Sequence, residues 1–227
     1  MSMGAIQSAS WRDEMSVLTL IIGDKNLSSW SLRPWLLMKH AGIPFTERTI
    51  RLDRPTTKAE LADVSPSSRV PCLLDDDLTV WDSLAICEYL AEKFPENALW
   101  PAEVAARATA RSVSAEMHSG FQGLRALWPL HFAREGMRHT THGIEEEVAR
   151  LIEIWESCRR DFGKEGPFLF GRFSIADAMY APVVSRFVTY GPIAAPPASS
   201  AWRDLMWSLP AMKEWGAGAK AEIAEAP

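Results

Sequence analysis

Arg69-Val70-Pro71-Cys72-Leu73-Leu74-Asp75-Asp76-Asp77-Leu78-Thr79-Val80-Trp81-Asp82-Ser83-Leu84-Ala85-Ile86 is the stretch on which the fold turns. Two short apolar runs, 70–74 and 78–81, flank three consecutive aspartates, which predicts a β-hairpin. Asp82-Ser83 then opens a helix that runs to about Phe94. A proline entering an apolar strand cannot donate to the ladder. Pro71 is therefore either the first residue of its strand or a cis proline that turns the preceding backbone aside.

Upstream of the hairpin, residues 17–22 form a β-rich apolar run ended by Gly23 and read as a buried strand. Residues 24–29 carry loop chemistry. A helix follows, with Leu32, Trp35, Leu36 and Lys39 along its length and Gly42 as its stop. Pro34 fits best in a first turn, which puts the helix start near Ser31 and leaves Ser28 in the loop. Residues 45–52 give a second strand and 58–64 a short helix. The order strand, helix, strand, helix, strand, strand, helix predicts a small α/β sheet rather than a bundle. Beyond 94–97 the pattern becomes helical, with long periodic segments at 103–127 and 144–162. The linker is expected at about 95–103, between a first domain spanning 15–97 and an all-helical second domain spanning 104–220. The first 14 residues have no basic start and no continuous apolar core, and read as a loose tail ahead of Met15.

Composition narrows the function. A formal charge of −5 with no Lys/Arg cluster excludes the electrostatic footprint of a nucleic-acid binder. No apolar stretch approaches the roughly 20 residues that span a bilayer. Three cysteines without a CxxC pair, and no signal-peptide pattern, point to a reducing cytoplasm rather than a disulfide framework. Cys72 and Cys87 fall in apolar patterns and are expected to be buried and inert. His131, His139 and His142 fit no zinc spacing, and no metal is expected.

Three short features carry chemistry. Asn26-Leu27-Ser28-Ser29-Trp30-Ser31-Leu32-Arg33 sits between the first strand and first helix, where unpaired N–H groups favour negative charge. Its serines either cap the helix or present a hydroxyl to a thiolate. Val70, ahead of Pro71, can pair its backbone with an extended peptide as a short added strand. Ser83 with the helix amides suits an α-carboxylate, and Asp82 can hold an ammonium; alone, the same pair is a plain helix cap. Together the three describe one ligand, a small peptide with a thiol, a backbone to pair and a free amino-acid end, which is glutathione.

The chain resembles the glutathione S-transferase superfamily over about residues 15–217, and within it the serine-type, zeta or maleylacetoacetate-isomerase-like group. The resemblance rests on Ser28-Ser29-Trp30-Ser31-Leu32-Arg33, Arg69-Val70-Pro71 and Asp82-Ser83-Leu84-Ala85-Ile86-Cys87-Glu88-Tyr89-Leu90. In the helical half it rests on Ser119-Gly120-Phe121-Gln122 and Ser174-Ile175-Ala176-Asp177. It implies a thioredoxin-like α/β first domain, an all-α helical-bundle second domain, a homodimer, and glutathione as co-substrate for attack on a small hydrophobic electrophile. By the same resemblance Ser28, with Ser29 as the fallback, is the catalytic serine. Val70 and a cis Pro71 bind the cysteinyl backbone, Asp82 and Ser83 the γ-glutamyl end, and Gln122 approaches glutathione from the second domain. Lys58 is the candidate for the glycine carboxylate.

Trp30, His118, Phe121 and Trp128 are expected to line the second-substrate pocket, with His118 and Phe121 on one helix face. Arg186 falls near a carboxylate-binding arginine of zeta-like enzymes, or else forms a surface salt bridge. Zeta enzymes carry a cysteine where Trp30 stands, and Arg-Val-Arg in place of Arg33-Pro34-Trp35. The alternatives to a transferase are therefore a glutathione-dependent cis–trans isomerase of a small dicarboxylate, and a binding module without turnover. Ser174-x-x-Asp177 reads as a reciprocal helix cap with no catalytic part.

Overall fold

The structure, a computed structural model, describes residues 17–52 and 54–225. The tail assigned to residues 1–14 lies outside the described residues. Strands β1 (Leu18–Ile22), β2 (Phe45–Thr49), β3 (Cys72–Asp75) and β4 (Leu78–Trp81) form one sheet in the order β2-β1-β3-β4. β1 and β2 are parallel; β3 runs antiparallel to both β1 and β4. Helices α1 (Ser29–Ala41), α2 (Thr57–Val64) and α3 (Ser83–Lys93) complete this half. The alternation of β1 explains its placement between layers. Leu18, Leu20 and Ile22 join α1 and α3 in the main core, whereas Ile21 packs with Leu61 of α2, Ile50 and Cys72 on the other face.

The second half is helical: α4 (Val104–Ser119), α5 (Gln122–Leu127), α6 (Glu145–Phe162), α7 (Ile175–Tyr190), α8 (Pro197–Ser208) and α9 (Pro210–Ala224). α7 is buried along almost its whole length and lies against α1, so one continuous core joins the halves. Its N-terminus is fixed by Asp177, whose buried carboxylate accepts from the Ser174 and Leu169 N–H groups at 2.9 and 3.0 Å and from Trp202 Nε1 at 2.8 Å. Trp35 of α1 meets Trp215 of α9 edge to face at 5.0 Å, which ties the C-terminal helix to the same core.

Two local expectations change. α1 starts at Ser29, two residues earlier than Pro34 suggested, because Ser28 caps it: its Oγ accepts the Ser31 N–H at 3.3 Å. Pro34 thus lies inside the helix, where its missing N–H leaves the Trp30 carbonyl without its usual helical bond. The periodic segment 103–127 is two helices. Gly120 ends α4, and Phe121 takes the left-handed conformation, φ 60°, before α5 begins. His118 and Phe121 therefore do not share a helix face.

Candidate functional site

A cavity of about 530 Å³ opens where the β3–α3 end of the sheet meets α4. Val70, Pro71, Asp82, Ser83, Trp30 and His118 all contribute to its wall. The Val70–Pro71 bond is cis. β3 begins at Cys72, which pairs with Ile21 and Trp81, so Val70 precedes the ladder and its backbone stands outside the sheet register.

Asp82 and Ser83 start α3. Asp82 has φ 77°, an unusual conformation for a residue with a side chain. It turns the carboxylate back onto the helix, where Oδ1 accepts the Leu84 and Ala85 N–H groups at 2.8 and 3.3 Å. The second oxygen, Oδ2, lies 3.3 Å from His118 Nε2, a contact that joins α3 to α4 across the cavity. His118 Nδ1 is buried without a partner among the described residues, and the ring meets Trp30 edge-on at 5.2 Å. Burial pulls the imidazole below its ordinary range, as do the Arg33 and Arg125 charges, against the opposing pull of Asp82.

Ser28 and Ser29 stand at the mouth of α1, immediately before Trp30. Ser28 Oγ donates to Ser31 Oγ at 2.7 Å, and Ser31 Oγ accepts the Gly23 N–H at 3.1 Å, which makes a buried chain of hydroxyls behind the helix start. The Ser29 hydroxyl has no hydrogen-bond partner among the described residues. Neither serine belongs to the cavity wall in this conformation, whereas Trp30 does.

The remaining sequence candidates lie elsewhere. Gln122 is exposed, and its Nε2 donates to the Ser119 carbonyl at 3.1 Å. Phe121 is buried in the core, turned there by its left-handed backbone. Trp128 is wholly buried, stacked on Tyr190 at 5.5 Å with its Nε1 donating to the Thr140 carbonyl. Lys58 is exposed on α2, away from the cavity wall. Arg186 forms no surface salt bridge: it is buried, and its Nε and Nη1 donate to the carbonyls of Trp128 and Pro182 at 2.8 and 3.2 Å.

Two residues escaped the sequence reading. Arg33, quoted there only as part of a motif, is fully buried behind the wall and donates from Nη1 to Ser83 Oγ at 3.3 Å. Arg125, which nothing in the spacing marked, approaches Trp30 from α5, with its guanidinium 4.7 Å from the ring centroid. Burial, then the neighbouring Arg125 and Arg186 charges, push Arg33 down to about 9. Burial and Arg125 do the same to Arg186, also to about 9. Cys87, fully buried beside Arg33, is pushed far up by burial and is no nucleophile.

Residues 27–93 match the N-terminal domain family of glutathione S-transferases, and residues 102–215 match the C-terminal domain family. A probable maleylacetoacetate isomerase of Caenorhabditis elegans is 34% identical over 99 residues, 44% of this chain and 45% of that protein, so the match spans less than half of that relative's length. Glutathione S-transferase 1 of Dianthus caryophyllus is 27% identical over 168 residues, 72% of this chain and 75% of that one. Among solved structures, a glutathione transferase homolog from Burkholderia gl BGR1 with bound glutathione superposes with a TM-score of 0.68 at 26% identity, covering 90% of this chain and 99% of that one.

Proposed function

Because this chain belongs to the glutathione S-transferase superfamily, we propose that it binds glutathione in the cavity beside α3 and activates the thiol for attack on a small electrophile. The observation that carries the reading is the convergence of Val70, Pro71, Asp82 and Ser83 on one cavity beside the start of α1. The backbone of Val70, outside the sheet register, pairs with the cysteinyl residue. The Ser83 hydroxyl and N–H hold the γ-glutamyl carboxylate, the Leu84 and Ala85 amides being taken by Asp82 Oδ1, and Asp82 Oδ2 holds its ammonium.

Ser28 supplies the proton that stabilises the thiolate. Its hydroxyl now points to Ser31 Oγ, but hydroxyl hydrogens rotate freely. When Ser31 donates instead, the chain from the Gly23 N–H through Ser31 releases the Ser28 proton outward and polarises it. A charge-assisted hydrogen bond contributes about 1.5–3 kcal/mol, and one pKa unit is about 1.36 kcal/mol. A thiol with an ordinary pKa of about 8.5 then becomes about 30–80% ionised at pH 7, against about 3% unaided. The chain otherwise contributes proximity and orientation. Ser29, whose hydroxyl has no partner among the described residues, is the competing donor.

Leu78, 48% exposed, leaves an apolar side chain on the edge strand β4, which supports a homodimer that covers this edge. The free, buried state of Cys72, Cys87 and Cys158 supports a cytoplasmic protein. No helix among the described residues is long and apolar enough to cross a membrane.

The test is retention on immobilised glutathione followed by conjugation assays with small electrophiles. Retention with conjugation supports the transferase. Retention without it favours a binding module, turnover of a cis dicarboxylate without conjugation favours an isomerase, and failure to bind glutathione sinks the reading.

A further inference from the structure

Behind the cavity wall three arginines converge without a counter-ion among the described residues. Arg33 Nη1 reaches Ser83, but its Nε and Nη2 are buried with no partner. Arg125 donates from Nε and Nη2 to the carbonyls of Gly120 and Met117, which explains it as a cap for α4; its Nη1 is buried and unpartnered all the same. Arg186 lies close enough to both for its charge to bear on theirs.

The two acids that act on this group are engaged elsewhere. Asp82 accepts from the α3 amides and contacts His118. Glu147 accepts the Gly123 and Leu124 N–H groups at 3.0 and 2.6 Å. Among the described residues, no carboxylate pairs with any of the three arginines.

What stands in for an anion is an indole. Trp30 lies with its ring centroid 4.3 Å from the Arg33 guanidinium carbon and 4.7 Å from that of Arg125. The face of an aromatic ring is a weak substitute for a carboxylate toward a buried guanidinium. A bidentate carboxylate answers the fork of unpaired N–H groups far better. Trp30 is half-buried, forms part of the cavity wall and lies against both guanidinium groups, so turning its indole aside would open Arg33 and Arg125 to the cavity.

We propose that the Arg33–Trp30–Arg125 stack is the binding site for a carboxylate of the second substrate, reached from the cavity as the indole swings away. The electrophile is then a small apolar molecule bearing a carboxylate, whose body lies against the rings of Trp30 and Trp81. This rests on the reading of the neighbouring subsite as that of glutathione.

Calorimetric titration of the full chain with benzoate and with its neutral isostere benzamide tests the proposal, with and without saturating S-methylglutathione. Benzoate is expected to bind at least about tenfold tighter than benzamide, as charge-assisted hydrogen bonds require. Bound S-methylglutathione should leave that preference intact. Arg33→Met and Arg125→Gln should each abolish it, and retention on immobilised glutathione should persist in Arg125→Gln. Equal affinity for the two probes, or full benzoate affinity in both variants, overturns the proposal. Exclusion of benzoate by S-methylglutathione also overturns it, since the arginines then serve glutathione's own carboxylate. Should both variants fail to fold, Arg69→Gln decides: the exposed Arg69 also lines the cavity, so a preference that persists without it supports the proposal and one that vanishes overturns it. If benzoate is preferred but glutathione never binds, the anion site stands and the transferase reading falls.

Discussion

Replacing Ser28 with alanine removes two separable things, and their magnitudes differ enough to be read apart. The first is the cap of α1, since Ser28 Oγ accepts the Ser31 N–H at 3.3 Å. Loss of a serine N-cap costs about 1 kcal/mol, which lowers Tm by about 2–4 °C in a chain of this size. The second is the proton offered to glutathione's thiolate. Loss of about 1.5–3 kcal/mol of charge-assisted bonding raises the bound thiol's pKa by about 1–2 units. At pH 7 the ionised fraction, and with it turnover, falls about tenfold or more. Above about pH 9 the ordinary thiol is itself ionised, and the variant's rate should converge on that of the wild type. The assay is the ultraviolet absorbance of the bound thiolate titrated from pH 5 to 10, beside a pH–rate profile on the same preparations. A Tm loss with no movement of the thiolate midpoint leaves Ser28 as a cap only. If the midpoint then moves in Ser29→Ala, the donor is the neighbouring hydroxyl. If it moves in neither variant, the reasoning about the α1 mouth is refuted.

Further outcomes follow from other sites. Asp177→Ala strands the N–H groups of Leu169 and Ser174 and the Trp202 indole N–H in the core; a loss of about 3 kcal/mol or more should appear as scarce soluble protein, with Asp177→Asn milder in chemical denaturation. A Cβ on Gly166 would lie 2.2 Å from the Gly171 carbonyl oxygen, a backbone atom that cannot give way. Gly166→Ala should therefore cost about 2–3 kcal/mol, and a variant with unchanged Tm would contradict the packing of that loop. His118 is held below its ordinary pKa chiefly by burial, so the folded state binds its proton less readily than the unfolded chain. Its contribution is present above the unfolded value of about 6.5 and is lost as pH falls through the lower folded value. The decline of Tm between pH 7 and 5 should be shallower in His118→Gln, and an identical slope would show that the imidazole is not so constrained.

Local chemistry made much of this protein legible. The triple aspartate between two apolar runs, Gly42 after an apolar helix and Pro71 at a strand entrance each act within a few residues, where turn geometry, caps and the missing proline N–H leave little choice. The α1 boundary was misread because Pro34 favours a first turn, while the Ser28 cap and the surrounding core outweigh that preference. The periodic segment 103–127 concealed a break because hydrophobic spacing continues across Gly120, and only the backbone reveals the left-handed turn at Phe121.

The α/β half, the helical half and the short motifs at α1, β3 and α3 are each written in neighbouring residues, where local chemistry makes them readable. Which of these side chains meet depends on packing between distant segments. It brings His118 of α4 to Asp82 of α3, withdraws Phe121 and Trp128 into the core, and gathers Arg33, Arg125 and Arg186 from α1, α5 and α7. Residues so far apart in the chain meet only where the buried α1 and α7 bring the two halves together. The unpaired charges that result come from that packing, and no local pattern of residues records them.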